Sequence, residues 1–428
     1  MHMKKRVLLA ILIGKLVRGL SRLVGHGGSA LPGLVIEKIM PQFINEVLGS
    51  LDDGVIVVVG TNGKTTTTKI ISELLTSQGE RVLTNASGSN FMRGIIATII
   101  SDYKLKDRAL HKDIAVLELD EAYGKLFVER IKPQYVVALN VMRDQLDRFG
   151  ELAVTTQMLA SILQAATRGC VINGDEPELV AIGERLKVPV AYYGVKPNLR
   201  QLFPTDAELM KVFTATPPKS HRTQLTVMLN DFQGQQVSYR IGGQIHEAHL
   251  KLKGQYNFHN SAAALTIANM VMPKVNIAGW LESLKHVEPA FGRGESIKVG
   301  EHWLELILVK NPSSFRQGLA SHVSEALTMI AINDNHADGR DVSWLWDVDF
   351  SHYSPHIYVA SGIRANDMAL RLKYDNIELS KTEINLELAL ASLLNASSSL
   401  PRRVFCTYTA MLSIRAILKK TSVMGPGL

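Results

Sequence analysis

Residues 54–70 read GVIVVVGTNGKTTTTKI, and the residue types arrive in an order that suits phosphate chemistry. A continuous apolar run ends at Gly60, and Thr61, Asn62 and Gly63 make a turn. Lys64, Thr65 and Thr66 then open what the spacing predicts is a helix. Backbone N–H groups at such a turn point outward and cradle phosphate oxygens. Lys64 supplies positive charge for β- and γ-phosphates, and the Thr65 hydroxyl suits Mg²⁺. The general spacing G-x-x-x-x-G-K-[ST] needs glycine at position 58, where the chain has Val58. A shorter G-T-x-G-K-T-T form therefore stands.

Such a loop works only if strands and helices hold it. At 428 residues, 46% hydrophobic and 20% charged, the chain has the composition of a globular protein with more than one domain. Strand patterns recur at 54–60, 113–122, 133–141 and 169–174, with helical stretches between them. Residues 190–252 are more polar, with strand-like QLTVML and QVSYRI, and NSAAALTIANMVM (260–272) reads as a helix. The alternation restarts past about residue 295 with WLELILVK, ALTMIAIND and HIYVASG. Two α/β domains joined near FGRGE are expected: a lead-in over 1–50, a first domain over 51–294 and a second over 295–428.

The net charge of +7 is concentrated early. Lys4, Lys5, Arg6, Lys15, Arg18, Arg22 and Lys38 face only Glu37 within the first forty residues. No aromatic-interleaved basic patch follows, so a nucleic-acid partner is not expected. Lys15 interrupts the opening apolar run after about nine residues, too short to span a bilayer. At helical spacing Leu9, Leu12, Leu16, Leu20 and Leu23 share one face, and Lys15, Arg18 and Arg22 another. That amphipathic helix is expected to dock on the protein's own core, and contact with an anionic membrane surface is compatible with it. Cys170 and Cys406 form no metal-binding Cys pair and fit a reducing compartment.

The loop resembles the ATP site of the Mur ligase superfamily, whose members join amino acids to peptidoglycan precursors and glutamates to folates. Other segments agree in order. LELDEA places Glu118 where those ligases hold a Mg²⁺-binding glutamate, beside Thr65 as the second expected ligand. NVMRDQLDRFGE is similar to N-x-x-x-D-H-L-D-x-x-G, with Gln145 where the amino-acid ligases carry a metal-binding histidine. NGDEP resembles their N-x-D-[DE]-P turn. GQYNFHNSAAA matches G-x-x-N-x-x-N-x-x-A-A, which puts Asn257 and Asn260 in the nucleotide site, with Asn260 at the adenine. FGRGE brings in Arg293. The resemblance implies an ATP-binding domain with a mostly parallel central sheet, followed by a smaller Rossmann-like α/β domain. The implied nucleotide contacts are Gly60, Thr61, Asn62, Gly63, Lys64, Thr65, Thr66, Asn257, Asn260 and Arg293.

Only 59 residues precede the loop, whereas the Mur amino-acid ligases carry a UDP-binding domain there. LVKNPSSFRQ, AINDNHADGRDVSWLWDVDF, SGIRANDMALRLKY, TYTAML and SGSNFMRGI together resemble the MurT family, ligase subunits of two-subunit lipid II isoglutaminyl synthases. The resemblance implies ATP- and Mg²⁺-dependent amidation of the D-isoglutamate α-carboxylate in the lipid II stem peptide, through an acyl phosphate. It further implies a heterodimer with a GatD-like glutaminase that supplies ammonia, and a cytoplasmic place at the inner face of the plasma membrane. Neither cysteine stands in the G-x-C-x-G elbow of a class I glutaminase, so the chain is not expected to hydrolyse glutamine alone. In the family an aspartate of the C-terminal region orients the partner's catalytic histidine. Asp338 is the first choice, between Ala337 and Gly339, with Asp334 and Asp341 close behind; His336 is read as a loop residue. Many relatives insert a four-cysteine zinc ribbon at 190–252, which here holds no cysteine, so no zinc is expected; His221, His246 and His249 are read as surface residues. The alternatives are a stand-alone Mur- or folylpolyglutamate-type ligase and a non-catalytic nucleotide-binding scaffold.

Overall fold

The computed structural model describes residues 5–23, 31–85, 92–104, 110–142, 152–209, 224–288, 293–300, 302–322, 325–351 and 357–420. Gln145, His221, Phe291, Gly292 and residues 87–91 of the SGSNFMRGI segment lie outside them. The chain divides into two compact units, residues 1–141 with 153–288, and residues 142–152 with 289–428.

In the first unit three helices come first: α1 (Lys5–Leu23), α2 (Leu31–Ile39) and α3 (Phe43–Leu48). The alternation that follows is β1 (Gly54–Val59), α4 (Lys64–Ser77), β2 (Val82–Thr84), α5 (Met92–Asp102), β3 (Ile114–Glu118), α6 (Glu121–Arg130) and β4 (Tyr135–Ala138). Next come α7 (Leu152–Gln164), β5 (Gly169–Asn173), α8 (Pro177–Gly183), β6 (Val190–Val195) and α9 (Asp206–Leu209). The unit ends with β7 (Leu225–Gln233), β8 (Gln236–Ile241), β9 (Gln244–His249), α10 (Gln255–Val271) and α11 (Ile277–Lys285).

The strands form one sheet in the order β2-β3-β1-β4-β5-β6-β7-β8-β9. Every neighbouring pair from β2 to β7 is parallel, and β7-β8-β9 close it as an antiparallel meander. β1 is buried at every position. That burial is what an unbroken Val/Ile run specifies when helices cover both faces of a parallel sheet. The chain leaves β1 for the β2 edge and later returns to β4 on the other side, so β1 sits at the switch point. Ligands of open α/β sheets bind beyond the strand ends there. Among the described residues of 190–252, β6 to β9 continue the sheet, and Tyr239 on β8 donates to the Phe258 carbonyl of α10 at 3.1 Å.

The second unit holds β10 (Arg293–Val299), β11 (His302–Leu308), α12 (Pro312–Ser321), β12 (Leu327–Ala331), β13 (Ile357–Ser361), α13 (Ala365–Tyr374), β14 (Lys381–Glu383), α14 (Leu386–Leu394), β15 (Arg402–Cys406) and α15 (Tyr408–Lys420). Its sheet runs β10-β11-β15-β12-β13-β14, an antiparallel hairpin followed by parallel strands. Apolar layers cover both faces. One contains Leu304, Met329, Val404 and Ile414, the other Phe315, Trp344, Phe350 and Phe405.

The first helix docks on its own unit as expected, but not by its leucine face. α1 packs on the first unit through Val7, Ala10, Ile11 and Ser21, while Leu9, Leu12, Leu16 and Leu20 face solvent. The reason is side-chain size. A Cβ on Gly14 would lie 2.5 Å from the Ile100 side chain of α5, so this small-residue face is the one that admits close helix packing.

Candidate active site

The loop from Gly60 to Thr65 lies at the end of β1, as the spacing predicts. Gly63 has φ +89°, a left-handed conformation that favours glycine, and a Cβ there would come within 2.6 Å of Asn260 Oδ1. Asn260 of α10 is thus brought against the loop from almost two hundred residues away. Asn257, one turn earlier, donates to the Lys253 carbonyl at 2.7 Å. Arg293 opens β10 opposite Ile307.

Two asparagines to which the sequence assigned no role, Asn140 at the head of the NVMRDQLDRFGE segment and Asn85, fasten the loop and its neighbour. Asn140, at the end of β4, accepts from Asn62 N at 2.9 Å and donates to the Asn62 carbonyl at 3.0 Å. Asn85, at the end of β2, does the same for Glu118, accepting from its N–H and donating to its carbonyl, both at 2.9 Å. Each side-chain amide replaces one peptide group of a sheet ladder just where the strands end.

The charges of the site are set by burial. Lys64 is largely buried and its ammonium donates to the Gly60 carbonyl at 2.6 Å. The carboxylate of Glu121, also buried, stands 3.7 Å from that ammonium. Glu118 lies in register with Val58 of β1, is 1% exposed, and neither of its carboxylate oxygens has a hydrogen-bond partner. A buried carboxylate without a donor fits a cation, so the residues present suit the Mg²⁺ that the family resemblance implies, with Glu118 and Thr65 as its expected holders. Asp120, between the two glutamates in the chain, caps α6 by accepting from Ala122 N.

Beside α10, the NGDEP turn forms a buried polar cluster. Asp175 accepts from Val195 N at 2.8 Å and lies 3.9 Å from His259 Nε2. Burial pushes Asp175 up to about 6 and His259 down to about 3. Glu176, fully enclosed, is raised well above the usual carboxyl range by the same burial.

In the second unit the acidic segment lies at the carboxyl ends of β12 and β15. Asp338 is buried and bonded inward: Oδ1 accepts from Thr409 N at 2.8 Å, and Oδ2 accepts from Thr409 Oγ1 at 2.5 Å and Asn335 N at 3.1 Å. It therefore closes the start of α15. Thr409 is the hub of this network, since Asn333 and Asn335 also donate to its hydroxyl. Asp334 takes two bonds from Arg364, at 2.9 and 2.7 Å. Asp341 accepts from Ser343 N at 2.8 Å, and His336 is exposed.

Both cysteines are buried in strands, and burial pushes each thiol up to about 12. Neither is a nucleophile at neutral pH. His246 and His249 are three apart on β9 and so point to opposite faces. Among the described residues no group of three His, Cys, Asp or Glu side chains could hold a metal ion. No described helix is long and apolar enough to cross a membrane.

Comparison with known proteins agrees with this geometry. Residues 58–268 match the Mur ligase middle domain, and residues 308–411 match the MurT ligase C-terminal domain. The lipid II isoglutaminyl synthase (glutamine-hydrolyzing) subunit MurT of Streptococcus pneumoniae is 30% identical, over 93% of this chain and 94% of that one. MurF from Acinetobacter baumannii superposes with a TM-score of 0.68 at 16% identity, covering 90% of this chain and 80% of that one. MurF from Thermotoga maritima, solved in complex with ADP, superposes with a TM-score of 0.64 at 15% identity, covering 90% and 85%. By near-full-length similarity to a MurT subunit, the chain belongs to the MurT family.

Proposed function

We propose that the chain is the ligase subunit of a glutamine-dependent synthase that amidates the D-isoglutamate α-carboxylate of the lipid II stem peptide, converting it to D-isoglutamine. The observation that carries the reading is the pairing of the Gly60–Thr65 loop with the buried, unpartnered carboxylate of Glu118, in a chain alike throughout to a subunit of that name. The glycine loop and the Lys64 ammonium bind the triphosphate of ATP and neutralise charge on the transferring group. Bound Mg²⁺ supplies further neutralisation there. A carboxylate oxygen of the substrate forms a bond to the γ-phosphorus as ADP leaves. Ammonia then attacks the acyl carbon, phosphate departs, and the nitrogen loses a proton to give the amide. Asn257 and Asn260 complete the nucleotide site.

The ammonia comes from a separate GatD-like glutaminase, because neither buried thiol of this chain could serve as nucleophile. An aspartate of the 334–341 segment orients the histidine of that partner. Asp338 is held by Thr409 and Asp334 by Arg364, which favours Asp341 for the task. The heterodimer works at the inner face of the plasma membrane, where its lipid-linked substrate lies.

The test is co-expression with the cell's glutaminase and assay on lipid II with ATP, Mg²⁺ and glutamine. Amidated product that disappears in Lys64→Ala is the expected result. Amino-acid addition without any glutaminase would replace this reading with a stand-alone ligase.

A further inference from the structure

The orientation of α1 leaves an apolar surface with a charge pattern of its own. Leu9, Leu12, Leu16 and Leu20 are between 44% and 66% exposed, and they form one row because they recur every three or four residues. The opposite face, with Val7, Ala10, Ile11 and Gly14, is the one packed on the first unit. The row is therefore not a core face awaiting its own domain, since that place is already taken.

Its surroundings are basic. Lys5 is exposed and, at 100° per residue, falls within the leucine row. Lys15 borders it on one side and Arg6 on the other. Of the acids nearby, Glu46 pairs with Arg6, Glu37 is held by Arg93 Nε at 2.8 Å, and Asp102, close enough to act on Lys15, lies 3.2 Å from the Lys112 ammonium. Glu37 is also the sole acid among the first forty residues, against seven Lys and Arg.

We propose that this leucine row, with its basic borders, docks the first unit on an anionic bilayer, α1 lying flat with its leucines at the headgroup–acyl boundary. Apolar insertion and charge attraction act together in such helices, and long Lys and Arg stems carry their charges back to the phosphates. The inference deepens the proposed function and rests on it for its purpose, because a lipid-linked substrate lies in such a surface.

The experiment is flotation of the full-length chain with vesicles of phosphatidylcholine, with and without about one-third phosphatidylglycerol. The chain should float with the anionic vesicles, and raised salt should weaken the association. The double variant Leu12→Gln/Leu16→Gln should partition about tenfold less, while its far-UV circular dichroism and thermal midpoint stay those of the parent. The variant should also retain its glutaminase partner in a pull-down. Three results would overturn the proposal: equal binding to neutral vesicles or none at all, flotation of the variant equal to the parent, or loss of the glutaminase or of a self-dimer in the variant. Amidation of a water-soluble stem-peptide analogue needs no bilayer. Its failure would strike the proposed function, and failed flotation with intact amidation would strike this inference alone.

Discussion

The Lys64 ammonium and the Glu121 carboxylate stand 3.7 Å apart with both side chains at least nine-tenths buried. Lys64 belongs to the phosphate loop and Glu121 opens α6, so the pair ties the two elements that flank the site. Glu121 is the counter-charge of the lysine proposed to face the phosphates of ATP. Glu121→Gln removes that charge from beside a buried lysine, and it should lower stability by about 3–5 kcal/mol in urea denaturation. Phosphates then replace the lost charge. MgATP should therefore raise the melting temperature of Glu121→Gln by more than it raises the parent's, and equal increments would refute this role.

Glu118 should trade stability for function. Its buried carboxylate lacks a hydrogen-bond donor, and an isosteric amide carries no charge to desolvate. Glu118→Gln should melt no lower than the parent without ligand, yet lose about a hundredfold in ATP-dependent turnover. Titrating Mg²⁺ against turnover is the check, with a higher requirement expected in the variant.

The asparagine clamps should be structural at the level of individual bonds. Asn85→Ala removes two buried hydrogen bonds and leaves the N–H and carbonyl of Glu118 unpaired. A cost of about 2–4 kcal/mol is expected. Asn140→Asp keeps the acceptor for Asn62 N but loses the donor to the Asn62 carbonyl. Its KM for ATP should rise with the fold intact, as steady-state kinetics beside circular dichroism would show.

Asp175 gives stability a pH signature. Its carboxyl, raised by burial from 3.8 to about 6, holds a proton more tightly in the folded chain than in the unfolded one. The stabilisation from that proton is fully present below about 3.8 and is lost as pH rises through about 6. His259, lowered by burial from 6.5 to about 3, acts oppositely, and its contribution is lost on acidification through that window. In Asp175→Asn the first contribution vanishes. The stability deficit of the variant relative to the parent should shrink from pH 4 to pH 6, by on the order of 2 kcal/mol. Urea titrations across that range would test it, and a deficit that does not change would refute the assignment.

The acidic segment should separate structure from partnership. Asp338→Ala removes the acceptor for Thr409 N and should lower the melting temperature, at a cost of about 1–2 kcal/mol. Asp341→Ala should melt like the parent but depress glutamine hydrolysis by the assembled complex. If Asp341→Ala leaves that hydrolysis untouched, Asp334 becomes the residue to substitute.

Local features of this protein were legible in its sequence. β1, the loop and the start of α4 follow from an unbroken β-branched run, two glycines and a lysine within a dozen residues, because backbone sterics and burial act over that range. Glu118 was legible for the same reason, standing at the end of a buried strand. What needed the tertiary structure were relationships across long separations. Asn140 reaches Asn62 over 78 residues and Asn85 reaches Glu118 over 33, and nothing in either asparagine's neighbours announces its target. Glu121 becomes the partner of Lys64 only because β3 and β1 lie side by side. Periodicity showed α1 to be amphipathic, but not which face it buries. That was decided by the fit of Gly14 and Ala10 against the body of the unit, where small residues permit contact that four leucines do not.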